Sequence, residues 1–190
     1  WKKLERQIRK SGISYEAYQT ESPGDARRIA AQLTADMQEE ITIVAVGGDG
    51  TVNEVLNGLS IGDFLTVGYI PTGSGNDLAR GLNNSRNPGK CLKRILNPEE
   101  ICRVDYGILS YEDEEPVYRR FMVSSGIGFD AAVCHRLLDR SKPGELRQIP
   151  GRGRYILAGL KQLLTAKASR GYLILDGARR VEFNHIYFVS

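Results

Sequence analysis

The chain of 190 residues predicts an α/β fold with a parallel sheet, giving way to mostly antiparallel β-structure in its second half. Three observations carry this. Two apolar runs, residues 41–46 and 65–70, each leave through a glycine-rich turn into a helix-like segment, the pattern of successive βαβ units. The first run, "ITIVAV", is continuous and largely β-branched, which predicts a strand buried on both faces of a parallel sheet. After Pro98 the pattern becomes an alternation of Cys102, Val104, Tyr106 and Ile108, which predicts a half-buried strand.

Taken in order, Trp1, Leu4 and Ile8 repeat at helical spacing, and Ser11-Gly12 ends that helix. Residues 15–20 are short and aromatic and predict a strand. Ser22-Pro23-Gly24-Asp25 supplies an N-cap, a first-turn proline and an early acid. Ala26, Ile29, Ala30, Leu33 and Met37 then mark a helical apolar face. Val52, Val55, Leu56 and Leu59 line the next helix. A charged turn over 111–116 joins the alternating strand to a second one over 117–124. Helices are predicted at about 129–140 and 152–168. Residues 172–175 and 181–189 then form a hairpin, with Asp176-Gly177 supplying positive φ. The change near residue 106 predicts a boundary between domains 1–106 and 107–190. The chain opens on a helix with no strand before it and closes on an apolar strand without a partner. It reads like the middle of a longer protein, with an edge strand that could dimerise.

Composition excludes several classes. Hydrophobic residues make up 41% and charged residues 26%, and no run approaches a membrane span. Cys91, Cys102 and Cys134 read as small core residues of a reducing, cytosolic compartment. The net charge of +3 is uneven: residues 135–180 carry 11 Lys/Arg against 3 Asp/Glu, a net of +8, so the rest sums to −5. A basic second half points to anionic partners, or else to plain solvated charge.

The chemistry concentrates in the two glycine loops. In "VAVGGDGTVNEV", Gly47, Gly48 and Gly50 remove side chains where a phosphate would approach, and the helix behind offers free amides. Thr51 can cap that helix or bond a phosphate oxygen. Neither loop is a Walker A or a Gly-x-Gly-x-x-Gly turn. Asp49 would repel a bare phosphate, so it implies Mg²⁺, an ordered water or a ribose hydroxyl in between. The plainer alternative is a tight turn in which Asp49 bonds its own backbone. The second loop, "PTGSGNDLAR", again clears the backbone, with Asn76-Asp77 placed to cap a helix. Asp105, at the end of the following strand, can point toward the same crevice.

Together, "GGDGTVNEVLNGL" at 47–59 and "GYIPTGSGNDLARGL" at 68–82 resemble the signature segments of the diacylglycerol kinase catalytic domain, a family of lipid kinases. Thr20 with "SPGDA", "VDYG" at 104–107 and "SSGIGFDAAV" at 124–133 are similar to its pattern as well. The first loop is shared with NAD kinases; Gly-x-Gly-Asn-Asp-Leu-Ala-Arg discriminates. The resemblance implies a three-layer α/β ATP-binding domain followed by a β-sandwich for the lipid, and transfer of the ATP γ-phosphate to a lipid hydroxyl. It implies that Thr20, Gly47, Gly48, Asp49, Gly50, Thr51, Val52, Asn53 and Ser74 contact ATP. It implies that Asp49, Asp77 and Asp105 are catalytic and hold a Mg²⁺–water network. Expected partners are a lipid at the inner face of a membrane and not nucleic acid. NAD kinase, or a nucleotide-sensing domain without catalysis, are the other readings.

Two departures stand out. The family's opening strand with an Asn-Pro-x-Ser-Gly turn has no counterpart here. Its general base lies in an Asp-Gly-Glu segment, whereas Asp176-Gly177 is followed by Ala178, so the base is left unassigned. His135 and His185 are not at metal-ligand spacing and read as structural. Ser124-Ser125-Gly126 reads as a strand exit. Ile156, Leu160, Leu163 and Leu164 read as one helical face, with Arg152, Arg154, Lys161, Lys167 and Arg170 around it. That face either packs on the second domain or meets an anionic membrane.

Overall fold

The computed structural model of the protein describes residues 1–112, 115–138, 153–163 and 166–189. In chain order the elements are α1 (Lys2–Ser11), α2 (Asp25–Thr34), β1 (Ile41–Gly47), α3 (Asp49–Gly58), β2 (Leu65–Pro71), α4 (Asp77–Gly81), α5 (Pro88–Leu96), β3 (Gly107–Glu112) and β4 (Pro116–Phe121). They continue with β5 (Ile127–Gly128), α6 (Phe129–Leu138), α7 (Gly153–Leu163), β6 (Ser169–Leu175), β7 (Arg179–Ile186) and β8 (Phe188–Val189). The chain divides into two compact units, Trp1–Val123 and Ser124–Ser190.

In the first unit, β1 and β2 pair in parallel from Ile41↔Leu65 to Gly47↔Pro71, so both strands end level and both glycine loops leave from the same edge. Helices α2 and α3 cover one face, where Ala26, Ala30, Ala45, Val52, Val55, Leu59, Tyr69, Leu78 and Ala79 form a core. A second cluster of Leu4, Ile70, Cys91 and Leu92 joins β2 to α1 and α5. A side chain at Gly68 would press on Ile95, from 3.0 Å, so this glycine lets α5 lie close on β2. The expectation of a β1 buried on both faces is corrected here. Ile41, Ile43 and Ala45 face inward, whereas Val44 and Val46 are exposed. The reason is that the second helical layer covers β2, and β1 pairs only with β2 among the described residues.

Residues 15–20 form no strand; they find no pairing partner among the described residues, and the Tyr15 hydroxyl reaches Glu5 of α1 at 3.4 Å. The cap of α2 is also built differently from its sequence signature. Gly24 is the N-cap, at φ 91, and Asp25 reaches backward to accept the amides of Glu21 (2.9 Å) and Ser22 (3.0 Å). The Glu21 amide, then the Ser22 amide and Arg28, hold the Asp25 carboxyl below its ordinary 3.8. A depressed carboxylate adds stability that is present above its unfolded value, near 3.9, and lost as pH falls through the folded one. Asp25→Asn should therefore melt below the wild type at neutral pH. Melts taken from about pH 6 to pH 3 should show the two converging in acid.

The β3–β4 hairpin belongs to the first unit although it lies beyond the break near residue 106. Arg120 fastens it. Its guanidinium donates to the carbonyls of Leu56 (2.9 Å) and Leu59 (2.7 Å) at the end of α3, where a cation is favoured. Its own amide donates to Asn57 Oδ1 at 2.8 Å, and Asn57 Nδ2 returns a bond to the Arg120 carbonyl at 2.9 Å. Thus a change in strand character and the end of a compact unit fall at different places.

In the second unit β6 and β7 form an antiparallel hairpin, with Asp176 (φ 51) and Gly177 (φ 69) at its turn as expected. Strands β5 and β8 pair antiparallel. Helix α6 packs on α7, with Val133 and Ala158 buried. Of the apolar face read on α7, Leu160 is 55% and Leu163 62% exposed, while Ala158 beside them is buried. Arg152 and Leu164 lie outside the described residues, as do the side chains of Arg154, Ile156 and Lys161. Of the cysteines only Cys91 is in the core; Cys102 and Cys134 are exposed. His135 and His185 are exposed too. Among the described residues no helix is long and apolar enough to cross a membrane.

Candidate active site

The two glycine loops touch through their backbones. Thr72 donates its amide to the Gly47 carbonyl at 2.8 Å, extending the strand pairing by one bond. A Cβ on Gly73 would lie 2.5 Å from the Gly48 Cα, and one on Gly48 would lie 3.1 Å from the Gly73 Cα. Any side chain at either position forces the loops apart. A Cβ on Gly47 would overlap the Thr51 side chain, which folds back over the turn. Gly50 differs, because a Cβ there meets nothing within 4 Å. Packing within the chain explains three of these glycines and leaves the fourth with open space.

Asp49 answers the question its position raises. It stands in the first turn of α3, and its Oδ1 accepts the Leu78 amide of α4 at 3.2 Å. The carboxylate caps the neighbouring helix, not its own turn, and so ties one loop to the other. Its Oδ2 lies where a Cβ on Gly75 would be 3.0 Å away, and Asp77 Oδ1 is 3.9 Å from the same point. The two acids therefore flank Gly75. Asp77 is ion-paired with Arg80, which also donates Nη1 to the Gly75 carbonyl at 2.9 Å.

Asp105 is not brought to these acids. It lies exposed in an irregular segment, because regular structure begins at Gly107 and not at Cys102. Cys102 and Val104 find no strand to pair with ahead of β3 and stay exposed. Among the described residues no three His, Cys, Asp or Glu side chains gather where they could hold a metal. The donor set at the loops is two carboxylates, one at each. Mg²⁺ commonly uses one or two carboxylates and completes its shell with water and phosphate oxygens, so Asp49 and Asp77 fit such an ion.

The other sequence-read residues fall as follows. Thr20 and Ser74 are exposed. Val52 is in the core, and its amide donates to the Gly48 carbonyl at 3.2 Å, so it holds the turn together. Asn53 donates Nδ2 to the Arg120 carbonyl at 3.2 Å and so helps fasten the β3–β4 hairpin. Among the described residues no side chain caps α3, whose N-cap is Gly48. The positive end of α3 thus opens beside Gly50, an arrangement that suits an anion.

Sequence reasoning missed Tyr69. It sits in the core below both loops, and its hydroxyl donates to Asn76 Oδ1 at 3.3 Å. Burial first, then the Asp49 and Asp77 carboxylates, push its phenol above the ordinary 10.0. Asn76 holds a left-handed backbone (φ 54) at the start of α4. A tyrosine in an otherwise apolar β2 run was the only available signal.

Comparison with known proteins follows the same geography. Residues 1–107 match the model of the diacylglycerol kinase catalytic domain. A protein named "Diacylglycerol kinase" from Staphylococcus saprophyticus is 29% identical over 85% of this chain and 48% of its own. A protein named "Probable lipid kinase YegS-like" from Chromohalobacter salexigens is 31% identical over 92% of this chain and 52% of its own. A solved structure titled "A putative diacylglycerol kinase from Bacillus anthracis str. Sterne" superposes with a TM-score of 0.63 at 23% identity, over 95% of this chain and 55% of that one. It shows the shared fold. The chain spans about half the length of the curated relatives it matches. A match over more than half of its residues, centred on both glycine loops, shows that the chain belongs to the diacylglycerol kinase catalytic domain family.

Proposed function

We propose that this chain forms the nucleotide-binding half of a lipid kinase that transfers the γ-phosphate of ATP to a lipid hydroxyl such as that of diacylglycerol. The observation that carries this is the meeting of two glycine loops, each bearing an acid, at the edge where β1 and β2 end. Ligands in open α/β sheets settle outside the carboxyl ends of the strands. The amides at the start of α3 receive phosphate oxygens across Gly50, while Thr51, Thr20 and Ser74 offer hydroxyls. Asp49 and Asp77 would hold Mg²⁺, directly or through water, with Asp105 the third acid that the family resemblance implies. Mg²⁺ supplies charge neutralisation at the phosphates.

Each acid has a partner within the chain, the Leu78 amide for Asp49 and Arg80 for Asp77, and these contacts offset part of the repulsion between the two like charges. The antiparallel pairs of the second unit belong to a β-sandwich that receives the lipid. The net +8 of residues 135–180 would favour an anionic leaflet by roughly 1 kcal/mol per nearby Lys or Arg. The enzyme thereby acts from the cytoplasmic face.

The test is a transfer assay with the full-length protein, γ-labelled ATP, Mg²⁺ and mixed micelles of diacylglycerol, with NAD⁺ as a parallel acceptor. Label is expected in a lipid phosphate. Label in NAD⁺ alone, or in neither, would contradict the reading.

A further inference from the structure

We propose that Tyr69 and Asn76 form a latch that holds the second glycine loop against the first, which makes Tyr69 a positioning residue for phosphate binding. The proposal rests on the reading of these loops as a nucleotide site. The latch runs as one chain of contacts. Tyr69 is buried and belongs to the same core cluster as Ala45, Val52, Val55, Leu78 and Ala79, so its place is set by the core. Its backbone is fixed as well, since Asn84 Nδ2 donates to the Tyr69 carbonyl at 3.2 Å. From there the hydroxyl donates to Asn76 Oδ1 at 3.3 Å. The same Oδ1 accepts the Gly73 amide at 3.0 Å, and Nδ2 donates to the Gly73 carbonyl at 2.6 Å. Gly73 in turn lies against Gly48.

Phenylalanine would fill this volume equally well and would avoid burying a hydroxyl, which is costly without a partner. Among the described residues the hydroxyl's hydrogen-bond partner is Asn76, so what it contributes is that side chain's orientation. Asn76 cannot bond both polar atoms of Gly73 unless its amide plane is fixed, and the phenol fixes it from below. Burial and the two carboxylates keep that phenol protonated and able to donate. The loop's other ties, the Thr72 amide to Gly47, Arg80 to the Gly75 carbonyl and Asp49 to the Leu78 amide, do not touch the Asn76 side chain or hold its orientation.

The test compares wild type, Tyr69→Phe, Asn76→Gly and the double variant in the full-length protein. Glycine is chosen at 76 because it tolerates the positive φ there. Amide hydrogen exchange is followed at Gly73 and, for reference, through β1 and α3, and Mg²⁺–ATP affinity is measured by calorimetry. In Tyr69→Phe, Gly73 is expected to exchange about five- to tenfold faster with β1 and α3 unchanged, the effect of one lost hydrogen bond. The Mg²⁺–ATP Kd is expected to rise by a similar factor. The double variant should behave like Asn76→Gly alone, because both changes break one chain of contacts. Gly73 exchange within twofold of wild type, equal acceleration throughout the unit, or additive effects would each overturn the latch. If wild type binds no Mg²⁺–ATP while Gly73 responds as expected, the latch stands and the nucleotide reading falls.

Discussion

Asp49→Asn is expected to weaken Mg²⁺-dependent ATP binding by about 10- to 100-fold, the range for removing a ligand's supporting partner in a metal shell, while the melting temperature hardly moves. The side chain does two things that separate chemically. As an acceptor it caps α4 through the Leu78 amide, and asparagine keeps an oxygen for that bond. As a charge it lies beside Gly75 with Asp77 on the other side, where the two loops meet, and asparagine has none to offer. Asp49→Ala removes both. It should also cost about 1 kcal/mol, as a lost helix cap does. Calorimetry with and without Mg²⁺, beside thermal melts of all three proteins, checks this. Full Mg²⁺-dependent affinity in Asp49→Asn would leave the residue as a loop tie and nothing more.

Gly58→Ala is expected to destabilise the protein more than any single substitution on an exposed face. Helices α2 and α3 cross at Gly58, where a Cβ would overlap the Arg27 carbonyl and lie 3.0 Å from the Ala30 Cβ. The obstacle is backbone, which cannot turn aside as a flexible side chain can. Overpacking of this kind costs about 1–3 kcal/mol, and in a chain of this size each kcal/mol lowers the melting temperature by about 2–4 °C. Gly159→Ala in α7 is the control, because a Cβ there meets nothing within 4 Å. Alanine's better helix propensity should hold or raise the melting temperature in that case. Equal melting of wild type and Gly58→Ala would mean that α2 and α3 are not packed as described.

The frame of the candidate site was legible before the fold was known, and the reasons are local. Strand, glycine turn and helix follow one another within about 20 residues at both glycine loops, and short-range pattern reports such order well. The Asp176-Gly177 turn was legible for the same reason, since positive φ has few candidates. What stayed hidden depends on register between distant segments. Once β1 and β2 end level, Gly48 meets Gly73 and Asp49 meets Leu78, but neither loop alone says so. Asn53, which the family resemblance implies contacts the nucleotide, also holds the Arg120 carbonyl of a hairpin far along the chain, a partner that its own stretch of sequence did not show. Residues 15–20 had strand-like composition without a neighbour to pair with, and propensity without a partner makes no sheet. Asp105 was placed by extending an alternation that begins only at Gly107.

The central claim is that the two loops together form one Mg²⁺-dependent site for ATP phosphates. It is tested most directly by titrating ATP into the full-length wild-type protein by calorimetry, once with Mg²⁺ and once with Mg²⁺ chelated. The account predicts one nucleotide bound per chain with Mg²⁺, and a loss of at least about tenfold in affinity without it. No binding by folded protein, or equal affinity in both titrations, would contradict it.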